Sequence, residues 1–335
     1  MTQTPHSPPR RLVLGLLAAP VLHRAAGAQP ATRSVPMPQA DWRPDRPLRL
    51  VLPFAAGGLT DILARGFAPL LTARLGQPSV VENRGGAGGN IAAEAVARSA
   101  PDGTTLLIAT QGVIALNGSL YARLPYDPVA DFVPLGMLGR QPNLLVASPK
   151  VLPTGGLAEL LALARQKPGG LSYGSNGVGS FTHLSMELLA SRAGVPMTHV
   201  PYRGSAPMLT DLVAGTLDCA FDALGTSAPQ VRAGALRAVA VSSLARSRFL
   251  PDVPAVSETV AGFDANPWYG IFAPTAAPMA EAAVQSALAD PAWAAILAER
   301  QVDAFPGDRA ALTAAIAAER AVWAEIIRAT GARAD

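Results

Sequence analysis

The chain has 335 residues, half of them apolar and only 15% charged. These proportions exclude a disordered or low-complexity chain and allow two domains, each with its own core. The formal charge of +3 is small, and the basic residues near the start supply it, so charge gives no indication of a nucleic-acid partner.

Residues 1–28 read as an export signal. Arg10 and Arg11 precede the uncharged run Leu12 to Leu22, and Ala26-Gly27-Ala28 forms a small-x-small cleavage site. The apolar run is too short to span a bilayer as a helix. The paired arginines leave both the general secretory (Sec) route and the twin-arginine route open. Removing the signal's three arginines leaves 24 basic against 24 acidic residues. Residues 29–46 carry four prolines, with a fifth at Pro47, and few apolar side chains, which predicts a leader or tether, with the folded part starting near Leu48.

From Leu48 the pattern alternates. Leu50-Val51-Leu52 ends an apolar run of the kind that forms a parallel strand covered on both faces. Pro53 stops it, Gly57 and Gly58 offer turn conformations, and Thr60 and Asp61 open a helix over 59–75. Pro69 should kink or shorten that helix. A strand (79–83), the glycine turn 84–90, a helix and a strand (104–110) follow. After a break at 127–131 comes a strand at 143–148. A second unit then repeats the logic, with strands at 171–175, 198–202, 217–224 and 236–243 separated by helices. Residues 268–274 form one more strand, and the remainder is helical. In the last helix Ile316, Val322, Trp323, Ile326 and Ile327 make a stripe expected to join the core. Such alternation predicts right-handed crossovers and parallel strands.

The chemistry of the chain lies in its turns. The first N–H groups of a helix lack internal partners and carry partial positive charge, so the turn at 53–61 suits a carboxylate. A plain strand-to-helix turn is the alternative. No metal-ligand spacing, phosphate loop, nucleophile elbow or dinucleotide fingerprint is present, so no catalytic residue, metal or cofactor is indicated. His183 reads as a helix-start residue or as a group at the cleft. The single cysteine, Cys219, reads as a buried free thiol. Two α/β units with glycine turns at strand C-termini suit a ligand held between them and a hinge that closes.

The sequence resembles the Bug family, the periplasmic solute-binding components of tripartite tricarboxylate transporters. The resemblance runs through PFAAGGLTDILAR (53–65), VENRGGAGGNIAAEAVARSAPDGTTLL (81–107), LPYDPVADFVPL (124–135), GSNGVGSFTHLSMELL (174–189), HVPYRGSAPMLTDLVAGTLDCAFD (199–222), LPDVPAVSE (250–258) and WYGIFAP (268–274). It implies an α/β, two-lobed type II periplasmic-binding-protein fold, with parallel-rich sheets flanked by helices and hinge strands between the lobes. Lobe 1 would be 47–146 plus 268–335 and lobe 2 would be 147–267. The implied function is a periplasmic receptor, not an enzyme, that binds a small carboxylate or amino-acid-like solute as a monomer and delivers it to membrane transporter subunits. A solute-sensing subunit for a membrane kinase and an exported hydrolase or isomerase are the alternatives.

By motif, the first-lobe ligand residues are Phe54, Gly57, Gly58, Thr60, Asp61 and Thr110. Those of the second lobe are Ser175, Asn176, Gly177, Gly179, Ser180, Tyr202, Arg203, Gly204 and Asp222. Asp61 would cap the helix dipole, orient the turn or receive a ligand ammonium. Asp222 would take a ligand amine or hydroxyl. Arg203 would pair with a carboxylate or stay at the rim. With strand order 2-1-3, the turn at 84–90 should flank the cleft. The chain departs from the family pattern in lacking a proline after Arg84, in having Pro69, and in a short segment between Pro278 and Pro291.

Overall fold

The computed structural model describes residues 42–305 and 309–334. The predicted signal and leader residues 29–41 lie outside them. The described end of the leader is docked, not a tether. Trp42 packs against the first core, and Arg46 reaches Asp102 and Thr104.

The elements run in chain order as β1 (Leu48–Leu52), α1 (Leu59–Leu75), β2 (Ser79–Asn83), α2 (Asn90–Ala97), β3 (Thr105–Thr110), α3 (Asn117–Leu120) and β4 (Phe132–Arg140). Next come β5 (Asn143–Ala147), α4 (Leu157–Gln166), β6 (Leu171–Ser175), α5 (Phe181–Ala193), β7 (Met197–Pro201), α6 (Ser205–Ala214), β8 (Cys219–Ala223), α7 (Leu224–Arg232) and β9 (Arg237–Val241). The chain finishes with β10 (Trp268–Pro274), α8 (Glu281–Leu288), α9 (Pro291–Glu299) and α10 (Arg309–Thr330).

They form two five-stranded sheets, ordered β2-β1-β3-β10-β4 and β7-β6-β8-β5-β9. Each sheet has three parallel strands and one that enters antiparallel from the other lobe: β10 beside β3, and β5 beside β8. The chain therefore crosses between lobes twice, at 141–142 and over 242–267. The first crossing falls earlier than the boundary at 146 drawn from sequence, because β5 pairs wholly within the second sheet. The crossings touch through Gln141 N–H donating to Pro267 O (3.2 Å).

Burial explains the strands. Leu48, Leu50 and Leu52 face one core while Val51 faces another, so β1 is covered on both sides. β4 was not predicted. Pro134, Gly136 and Gly139 break its β pattern, and it survives as an edge strand whose pairing with β10 shifts register twice. Pro69 does not end α1, which continues to Leu75 and stops at left-handed Gly76. In α10 the buried face is Leu312, Ile316, Trp323 and Ile327, while Val322, expected in the stripe, is exposed.

Candidate functional site

The first-lobe turn is organised from within. Gly57 has φ +91°, a conformation costly for any residue with a Cβ. Gly58 does not share it: it is the extended N-cap of α1 at φ −79°, and a Cβ there would meet no atom within 4 Å. No side chain caps α1. Asp61, 4% exposed, instead accepts from Gly57 N–H (3.1 Å) and Arg65 Nε (3.0 Å) through one oxygen and from Asn83 Nδ2 (3.0 Å) through the other. Burial pushes this carboxyl up, but the bonds from Arg65, Gly57 and Asn83 outweigh it and hold the group below the usual carboxylate range. Asp61 is thus bonded to the turn that precedes α1 through Gly57 N–H. Asn83 also donates to Phe54 O (3.0 Å), and Phe54 is 40% exposed. Thr60 is buried in the first turn of α1. Thr110 ends β3 and pairs in register with Tyr269.

The second-lobe turn follows β6. The Ser175 hydroxyl accepts from Gly177 N–H (3.2 Å) and stands 2.7 Å from His199 Nε2. Asn176 and Val178 point to solvent. Ser180 caps α5 by accepting from His183 N–H (3.3 Å). Gly179 takes φ +75°, and a Cβ on it would come within 3.1 Å of Ala334 and 3.5 Å of Leu120, both from the first-lobe side. Its N–H donates to His183 Nδ1 (3.2 Å). His183, His199 and Tyr173 stack in a short column, the two imidazoles 4.0 Å apart. Burial pulls His183 down to about 4, and burial with the neighbouring imidazole does the same to His199. His183 thus supports the turn as a neutral acceptor.

Two residues read from sequence as ligand contacts, Ser175 and Asp222, have no exposed surface. Asp222 accepts from Thr226 (2.5 Å), Ser227 (2.8 Å) and Ser205, tying the end of β8 to the starts of α6 and α7. Burial holds its carboxyl above the ordinary value despite these hydroxyls. The Tyr202 hydroxyl donates to Asp211 (2.7 Å); burial and that contact push it up to about 12. Arg203 is exposed and has no ion pair among the described residues. Gly204, at φ +116°, is the N-cap of α6, again without a side-chain cap. Both acids of the site are therefore occupied internally, and uncapped helix N-termini remain in each lobe.

Asn83, His199, Ser205 and the Thr226-Ser227 pair were not read as site residues. A usable signal existed for Asn83, which ends the strand beside β1. The turn at 84–90 sits on edge strand β2, as expected. The thiol of Cys219 is buried, as read, and burial pushes it up to about 12. Among the described residues no acid-and-histidine group could hold a metal, and no helix is long and apolar enough to cross a membrane.

Two α/β lobes joined by crossing segments, with turns at their strand ends, define the class of two-lobed solute-binding proteins. The profile described as Tripartite tricarboxylate transporter family receptor matches residues 63–332, and the chain belongs to that family. It is 36% identical over 321 residues to protein BugT of Bordetella pertussis, covering 90% of this chain and 95% of the relative. Among solved structures it is similar to Rpa4515 of R. palustris with adipate (37% identity, TM-score 0.80, 88% of this chain and 99% of that one). It is also similar to periplasmic binding protein BugD (32%, 0.77, 87% and 99%) and to MatC of Rhodopseudomonas palustris with bound malate (31%, 0.73, 85% and 99%).

Proposed function

We propose that this chain is a periplasmic receptor that holds a small carboxylate-bearing solute between its lobes and delivers it to a tripartite tricarboxylate-type transporter. The observation that carries the reading is the pairing of internally occupied acids with uncapped helix starts. Asp61 and Asp222 spend their oxygens on the protein, while the N-termini of α1 at Gly58 and α6 at Gly204 keep N–H groups for an anion. Adipate and malate in the similar structures support the carboxylate class.

In this reading Gly57, Gly58, Thr60, Asn176, Gly177, Gly179, Ser180 and Gly204 supply main-chain and hydroxyl contacts. Phe54, Thr110 and Arg203 border the solute. Asp61, Ser175, Tyr202 and Asp222 shape the turns. The lobes are 42–141 plus 268–334 and 142–267, the protein acts as a monomer, and no step is catalysed. Export by Sec or the twin-arginine route places it in the periplasm.

A thermal-shift screen tests the proposal. Chain 29–335 is unfolded, freed of carried-over ligand and refolded, then challenged with adipate, malate, citrate, aspartate, glutamate and aromatic acids. A solute at 100 times its dissociation constant stabilises the native state by about 2.7 kcal/mol. A clear shift with one acid class is expected. A folded protein that shifts with none counts against the reading.

A further inference from the structure

The face that α10 turns to the core also carries one half-buried acid. Glu319 lies between Ile316 and Trp323 on the same face, and its carboxylate gathers three donors from three separate places. One oxygen accepts from Gln111 Nε2 (2.6 Å) and from Trp268 Nε1 (2.5 Å); the other accepts from Arg140 Nη2 (3.0 Å). Gln111 is the residue after Thr110, at the exit of β3. Arg140 ends β4 where the chain leaves the first lobe, Trp268 begins β10 where it returns, and the two are register partners. The same helix reaches the second lobe. One turn on, Trp323 packs edge-on against Phe181 (5.2 Å between centroids), which follows the 175–180 turn. Past the helix end, Ala334 N–H donates to Leu120 O (3.2 Å), and Ala334 abuts Gly179.

We propose that Glu319 is a positioning residue for lobe closure: it locks the exit of β3 to both crossover segments, so that the first-lobe face of the cleft and the hinge hold one geometry. A carboxylate suits this place because all three partners are donors. A glutamine would turn an N–H₂ toward at least one of them and lose the charge that faces Arg140. Burial raises the Glu319 carboxyl and the donors oppose it, with Asp264 the other charged group facing the pair formed with Arg140.

The test reads the distance between lobes and needs no ligand. Spin labels at V80C on β2 and V213C on α6, both exposed positions on opposite lobes, report the distance distribution in full-length folded protein. Cys219 is buried and stays in place. E319Q should broaden the distribution and move it to longer distances. A destabilised control, L71A inside α1, should lower the melting temperature without that change. An unchanged distribution in E319Q, or an equal change in L71A, would overturn the proposal. If E319Q does not fold, Q111M, which keeps the length of the side chain and removes one of the three donors, is read in the same way.

A binding arm rests on the receptor reading. Adipate should bind E319Q at least five-fold more weakly than the parent, because its contacts persist but closure is less favoured. A parent that does not bind adipate bears on the receptor reading alone, and the distance result still decides the role of Glu319.

Discussion

The Asp61 carboxylate accepts the Gly57 N–H at 3.1 Å and so fixes the left-handed glycine that precedes α1. The acid serves the turn, and the turn leaves the next N–H groups free. Asp61→Ala removes the acceptor of three donors at once and should destabilise the protein by about 2 kcal/mol. Denaturant titration measures it, and loss of carboxylate binding should accompany it.

The two glycines of this turn should separate by experiment. Gly57→Ala forces a Cβ into φ +91° and should cost about 1–2 kcal/mol. Gly58→Val meets open space and ordinary angles, so the fold should lose no more than about 1 kcal/mol, from the poorer N-cap. Its side chain would nevertheless stand over the N-terminus of α1 and block an anion there. Melting curves and binding measured side by side distinguish the two effects.

Acid should loosen the second lobe through its histidine column. An unfolded histidine titrates near 6.5, whereas His183 and His199 are each pulled down to about 4. Between those values the unfolded chain binds more protons, so stability is full above about pH 6.5 and falls as pH drops toward 4. His199→Phe removes one of the two sites and should give a shallower decline of melting temperature over this window.

Cys219 should be silent in the native protein. Its thiol is buried in β8 and pushed up to about 12, so a thiol-reactive dye should label it only after unfolding. Rapid labelling of the folded chain would mean that β8 is more open than described.

Short-range patterns made much of this fold legible. The run ending Leu50-Val51-Leu52, the break at Pro53 and the helix start at Thr60-Asp61 are local signals, and the structure realises them within a residue or two. β4 was hidden because Pro134 and two glycines imitate a loop, and only its edge position and pairing with β10 make it a strand. The site was legible as a set of turns but not as a set of side-chain roles. Asp222 looked available because its partners Ser205, Thr226 and Ser227 come together only when α6 and α7 start beside β8. Glu319 was not read from the sequence at all. Its donors lie at Gln111, Arg140 and Trp268, which no local pattern joins to it.

The most direct measurement is isothermal titration of refolded chain 29–335 and its Gly58→Val variant with the acid that gives the largest thermal shift. The account predicts one-to-one binding by the parent, and at least ten-fold weaker binding by a variant that melts within a few degrees of it. Unchanged affinity in the folded variant, or no carboxylate binding by the parent, would contradict it.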